Sequence, residues 1–287
     1  NLPANKVKIV GHPHGGAFGG KGGARGTDIA ALLSRKSGGL PVKYIEDRME
    51  FLLAGFSQSW DRHYEASLAL KSDGTLTGFK VKLLDDQGAT TEGYGTISVA
   101  KPLAAFTGNY RIGVAQYDMT LVVTNRAPTA PYRGYGPPPH FLVLESLVDK
   151  AARQLGKDPA EIRRLNYIRP EQFPYTIPSG NEYDSGNYEV VLDKVLQLAD
   201  YRALRKEQAA ARAEGRLVGV SVVYTVEPGV FDWNAYATVG VPGVGVPEGA
   251  RVSFDILGNI TVVVGFNLQG QGQFTVAAQV VADYFGV

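Results

Sequence analysis

The stretch from Gly11 to Gly26 reads GHPHGGAFGGKGGARG and satisfies the spacing G-x-x-x-x-G-K from Gly15 to Lys21. In a nucleotide-binding loop, that spacing wraps backbone N–H groups around phosphates, and a Ser or Thr after the Lys holds Mg²⁺. Here Gly22 follows Lys21, and no later strand offers an Asp suited to the metal. A dinucleotide fingerprint G-x-G-x-x-G fits no better, either in spacing or in a strand-ending acid about 20 residues on. The physics of the loop outlives both motifs. Consecutive glycines let backbone N–H groups approach an anion or an extended ligand, and a helix expected from Thr27 adds its N-terminus. A glycine-rich surface turn is the plainer account, but Phe18 set among the glycines favours a ligand cradle.

Two later stretches carry similar chemistry. In APYRGYGPPPHF, Ala130 to Phe141, Arg133 stands between aromatic residues and is followed by Gly-Tyr-Gly and three prolines. This reads as a rigid loop presenting one guanidinium, with a solvated Arg–Tyr stack as the alternative. In FNLQGQGQF, Phe266 to Phe274, Gln269, Gln271 and Gln273 alternate with glycine and offer neutral donors and acceptors beside approachable backbone. Alone, that alternation is more often a loop than a site. The histidines His12, His14, His63 and His140 lack metal-ligand spacing, and no Ser-His-Asp arrangement is evident. In IEDR, Asp47 reads as a helix N-cap rather than a catalytic acid.

The elements that must position these residues alternate in type. Strands are expected at Val7–Val10, Val42–Glu46, His63–Leu70, Leu76–Asp85, Tyr117–Val123, Leu217–Thr225, Ala250–Ile256 and Ile260–Phe266, with hairpin turns at KSDGT and LGN. Helices are expected at Thr27–Ser37, Phe141–Leu155, Ala160–Asn166, Tyr188–Ala199, Arg202–Glu214 and Thr275–Tyr284. DPAEIRR places Asp158 at an N-cap, Pro159 at the first helical position and Glu161 two further on. The fold class is therefore α/β, a mixed α+β chain. The polar run around Asn181–Gly186 suggests a first domain over 1–183 and a second over 184–287.

Composition excludes several classes. The chain has 287 residues, 44% hydrophobic and 20% charged, with a net charge of +1 and no cysteine. Disulfides, a Cys nucleophile, thiolate-bound zinc and iron–sulfur clusters ligated by this chain are ruled out. No Lys/Arg block points to nucleic acid or an anionic membrane, and no apolar run is long enough to span a bilayer. The chain opens without Met and closes just after an amphipathic helix. A portion of a longer polypeptide is expected.

Taken together and in order, GGAFGGK, LPVKYIEDRMEFLL, PYRGYGPPPHFLVLESLVDKAARQLGKDPAEIRRLNYI and QGQGQFTVAAQVVAD resemble the large subunit of the xanthine oxidase family. These molybdenum hydroxylases include aldehyde oxidases, aerobic CO dehydrogenases and bacterial N-heterocycle dehydrogenases. Each motif is loose alone; four in sequence are specific. The resemblance implies two α/β domains clasping a molybdenum–molybdopterin cofactor, with the cytosine dinucleotide form as a candidate. It implies cofactor contacts from Gly16, Phe18, Gly19, Gly20, Arg133, Gly134, Gln269, Gly270 and Gln271. Phe18 and the Arg133 backbone would lie near the metal with no side-chain ligand to it, and Arg133 would be the catalytic residue of this chain. Tyr135 and Lys101 would border the substrate. In PGVFDW, Phe231 and Trp233 are candidate pocket aromatics, with core packing an equal alternative.

Departures narrow the chemistry. The purine-oxidising members carry a Glu where this chain has Gly22, and an Arg where ungapped counting places Lys101, so xanthine is not expected. Copper-containing CO dehydrogenases carry a cysteine in the equivalent of PYRGYG, which is absent. The family's base, a Glu in a G-x-G-E type motif, has no match; Glu227 and Glu248 precede the GQG segment. The base would lie on residues outside this chain. The implied activity is oxidation of an aldehyde or N-heterocycle with oxygen from water. Electrons would pass to a [2Fe-2S] small subunit and an FAD medium subunit, in the cytoplasm. The alternatives are a cofactor-binding or scaffold module without catalysis and, more remotely, a P-loop NTPase.

Overall fold

The computed structural model describes residues 3–21, 25–53, 60–91, 97–227 and 249–287. Along the chain run α1 (Arg25–Lys36), α2 (Arg48–Leu53), β1 (Asp61–Leu70), β2 (Leu76–Asp86), α3 (Ile97–Ala100) and β3 (Val114–Val122). They are followed by α4 (Pro137–Leu155), α5 (Pro159–Asn166), β4 (Tyr175–Thr176), β5 (Glu182–Tyr183), α6 (Tyr188–Leu198), α7 (Tyr201–Ala213), β6 (Ala250–Phe254), β7 (Ile260–Val264) and α8 (Gln273–Phe285). Two compact units result, one from Asn1–Ile45 with Gly243–Val287 and one from Glu46–Pro242.

The larger unit is built on the sheet β1-β2-β3. β1 and β2 form the expected hairpin, closed by Lys71 N donating to Thr75 O and Gly74 N to Lys71 O. β3 lies parallel to β2, and a parallel neighbour requires a crossover of a dozen or more residues. That crossover carries α3 and a 3₁₀ turn, Lys101–Ala105. Along β2 the period-2 pattern sorts the faces: Phe79, Val81 and Leu83 are buried, while Lys80, Lys82 and Leu84 are exposed. Phe141, Leu144, Val148 and Ala152 on α4 join Phe79 and Val81 in the core.

The helix ends follow their local chemistry. α4 begins four residues earlier than its apolar stripe predicts, because Pro137, Pro138 and Pro139 occupy a first turn that needs no N–H partners. It ends at Gly156, left-handed at φ 63°, whose N–H donates to Ala152 O. Asp158 caps α5 by accepting from Ala160 N at 2.8 Å. Asp47 and Glu50 close a reciprocal capping box on α2, at 2.7 and 2.9 Å.

In the smaller unit β6 and β7 form the second expected hairpin, turned through Asp255 and Gly258. Phe254 meets Phe285 of α8 edge-on, with ring centroids 4.9 Å apart. The buried core belongs to the larger unit: every fully buried apolar residue described lies between Leu76 and Val222.

Three expected strands are corrected. Val7–Val10, Val42–Glu46 and Leu217–Thr225 form no ladder with any described residue. Their alternation makes them extended, but a strand needs a partner edge, and Ile9 and Leu217 remain 80% and 97% exposed.

Candidate functional site

The smaller unit joins two of the three chemical stretches. Gly270 holds φ at +81°, and a Cβ placed on it would fall 2.9 Å from the Gly16 nitrogen and 3.2 Å from the Gly15 carbonyl carbon. The loop after β7 and the glycine loop therefore touch backbone to backbone. Asn267 Nδ2 ties them again by donating to His12 O at 2.8 Å. Within the glycine loop, Gly20 N donates to Ala17 O, and Phe18 adopts φ +50°, a strained value outside glycine. The Phe18 ring lies over Gly16, where a Cβ would meet it at 2.7 Å, yet the residue stays 57% exposed. Gln273 Nε2 donates to Gln271 Oε1 at 2.8 Å, which orients the Gln271 amide with its own N–H₂ turned away from that bond. The Gln273 Oε1 is buried without a hydrogen-bond partner. Lys21 Nζ bonds back to His14 O, inside its own loop.

The larger unit holds the third stretch. Tyr135 N donates to Tyr132 O at 2.6 Å, closing a turn that leaves Arg133 exposed and buries Tyr135. Gly136 sits at φ +111° against α3, and a Cβ there would lie 2.3 Å from Ser98 O. Only glycine fits both the angle and the contact. Ser98 is in turn held from below: Arg62 Nη2 donates to its Oγ at 2.6 Å, and Arg62 pairs with the buried Asp85. Gln87 donates its amide to the same carboxylate. Beside the loop, Lys101 Nζ stands 4.9 Å from the Tyr135 ring centroid and 3.3 Å from Glu227 Oε1. A cavity of about 360 Å³ opens between the first turns of α4 and the run Ser221–Glu227, walled by Pro137, Pro138, Leu142, Val223 and Thr225.

Two buried titratable groups support this framework. His140, fully buried, bonds through Nε2 to Phe106 O at 2.8 Å. A carbonyl can only accept, so Nε2 carries the proton, and burial pulls the imidazole down to about 4. Arg163, also fully buried, pairs with Glu145 and Asp149 at 2.7 and 2.8 Å, and Glu145 accepts from Tyr110 Oη at 2.7 Å. Burial raises the Glu145 carboxyl and outweighs the opposing pull of Arg163.

The candidate residues thus fall into two groups. Gly16, Phe18, Gly19, Gly20, Gln269, Gly270 and Gln271 belong to the smaller unit; Arg133, Gly134, Tyr135 and Lys101 belong to the larger. Phe231, Trp233, Gly22 and Glu248 lie outside the described residues. Glu227 was missed by sequence reasoning as a partner of this loop. A carboxylate 126 positions from Lys101 gives no local signal of the contact. No group of three or more metal-ligating side chains occurs among the described residues, and no described helix is long and apolar enough to cross a membrane.

Closely apposed glycine backbones, positive-φ glycines and neutral amides fit the class of protein that cradles an extended, anionic organic cofactor without a lysine-rich patch. Residues 1–167 and 194–287 match two family models, each described as a molybdopterin cofactor-binding domain. The chain belongs to this family, as a portion of a large subunit of the xanthine oxidase family of molybdenum hydroxylases. It is 35% identical to the carbon monoxide dehydrogenase large chain of Hydrogenophaga pseudoflava, covering 100% of this chain and 36% of that one. It is 34% identical to the nicotine 6-hydroxylase large subunit of Paenarthrobacter nicotinovorans, covering 99% and 35%. Quinoline 2-oxidoreductase from Pseudomonas putida 86 superposes with a TM-score of 0.86 at 32% identity, over 94% of this chain and 34% of the other. The chain thus spans about a third of the length of the relatives it matches.

Proposed function

We propose that this chain is the molybdopterin-holding part of a cytoplasmic molybdenum hydroxylase that oxidises an aldehyde or N-heterocycle with oxygen from water. The observation that carries the reading is the contact of Gly270 with the Gly15–Gly16 backbone, because it sets the glycine loop against the glutamine–glycine loop. Gly16, Phe18, Gly19, Gly20, Gln269, Gly270 and Gln271 would hold the pterin and its phosphate. Phe18 and the Arg133 backbone would lie near the metal, with Gly134 at the cofactor and Tyr135 and Lys101 beside the substrate. The cofactor, when bound, supplies the redox chemistry; the chain supplies clearance, hydrogen bonds and orientation. A first cofactor-binding domain over 1–183 and a second over 184–287 follow the two family-model spans, 1–167 and 194–287, although the compact units group residues 1–45 with 243–287.

With no cysteine in the chain, iron–sulfur clusters belong to a partner, and FAD to another. Gly22 and Lys101 argue against xanthine, and the absent cysteine argues against copper-dependent CO oxidation. The base belongs to residues outside this chain.

The test is metal and pterin analysis of the complete complex, followed by dye-linked turnover of aldehydes and N-heterocycles. Molybdenum, pterin and turnover are expected together, and Arg133→Ala is expected to abolish turnover. Metal and pterin without turnover would mark a module that only holds the cofactor. Bound nucleotide with neither would restore the NTPase reading, and full activity in Arg133→Ala would refute the site assignment.

A further inference from the structure

Lys101 and Glu227 differ sharply in exposure: the lysine side chain is 10% exposed and the glutamate 47%. An exposed ion pair is worth little, because water screens it and both side chains lose freedom. Lys101 is in the other regime. Its ammonium is nearly out of water, where an unpartnered charge is costly, and its long flexible stem does not by itself fix where the charge sits. Glu227 answers both needs from the end of the extended run that follows α7. Its Oε1 lies 3.3 Å from Lys101 Nζ, and 3.9 Å from where a Cβ on Gly134 would be. The same ammonium stands 4.9 Å from the centroid of the Tyr135 ring, on its electron-rich face. The carboxylate, the ammonium and the ring thus form a stack against the turn that carries Arg133.

We infer that Glu227 is a positioning residue of the substrate pocket, holding the Lys101 ammonium on the face of Tyr135 and so setting the tilt of that ring. The inference rests on the reading above that Tyr135 and Lys101 border the substrate. Glu227 acts through Lys101, so removing the carboxylate weakens the hold on the charge and on the ring, while the cofactor loops of the smaller unit keep their own contacts. The loss falls on substrate binding before it falls on chemistry.

The test uses the complete molybdenum enzyme, with metal and pterin measured in each variant. Glu227→Gln and Lys101→Met are each expected to raise KM roughly tenfold, with kcat changed less than about threefold. Glu227→Asp is expected to recover most of the loss. The double variant is expected to be no worse than Lys101→Met alone, since two residues acting as one unit are not additive. A crystal structure of Glu227→Gln, independent of turnover, is expected to show Lys101 Nζ withdrawn from the Tyr135 face. Unchanged KM, additive effects, cofactor loss in Glu227→Gln or an intact Lys101–Tyr135 stack would each overturn the inference. A wild-type complex without molybdenum, pterin or turnover would instead overturn the functional reading, and the crystal structure would still decide whether Glu227 holds Lys101.

Discussion

Gly270 and Gly258 hold nearly the same backbone angle, φ +81° and +83°, but only Gly270 faces another backbone. Nothing lies within 4 Å of a Cβ placed on Gly258, in the β6–β7 turn. The pair separates strain from clearance. Alanine at either position should cost about 1 kcal/mol of stability through the left-handed angle. Gly270→Ala alone must also push apart the loops carrying Gly16 and Gln271. Molybdenum and pterin content of the purified complex should therefore fall severalfold in Gly270→Ala and stay near wild type in Gly258→Ala. Equal content in the two variants would show that the contact does not shape the cofactor site.

At the scale of elements, α4 and α5 are locked by the buried Arg163 between Glu145 and Asp149. Removing one member of a buried pair leaves the other charged and desolvated, a cost of about 3–5 kcal/mol. Arg163→Met should lower the urea midpoint by the equivalent of at least about 3 kcal/mol. Glu145→Gln keeps an acceptor for Tyr110 and leaves Arg163 paired with Asp149, so it should cost less, about 1–2 kcal/mol. A smaller loss in Arg163→Met than in Glu145→Gln would contradict this ranking. The caps of these helices were readable in advance, because Asp158, Pro159 and Gly156 act within a few residues of themselves. The Arg163 network was not, since Arg163 on α5 reaches across to Glu145 and Asp149 on α4, and through Glu145 to Tyr110.

For the molecule as a whole, the clearest pH response comes from His140 in the core of the larger unit. Burial lowers its imidazole from the ordinary 6.5 to about 4. Between those values the unfolded chain binds a proton that the folded chain refuses, so stability falls as pH falls from 6.5 toward 4. By pH 5 the loss should approach about 2 kcal/mol relative to neutral pH. Denaturant unfolding at pH 7.5 and pH 5 checks this, with His140→Gln expected to remove that part of the slope. An identical slope in the variant would assign the acid sensitivity to other groups.

The sequence by itself determined what short-range physics controls. Alternation placed β1, β2, β6 and β7, the turns KSDGT and LGN closed their hairpins, and side-chain oxygens and prolines set the helix starts. Four motifs in order were enough to point to the cofactor family. Tertiary structure decided what depends on distant partners. Val7–Val10, Val42–Glu46 and Leu217–Thr225 have the pattern of strands but no described edge to pair with, and β3 joins β2 in parallel through a crossover that no periodicity reveals. Only the folded chain sets Gly270 against Gly16 and Glu227 beside Lys101, because each contact joins residues more than a hundred positions apart.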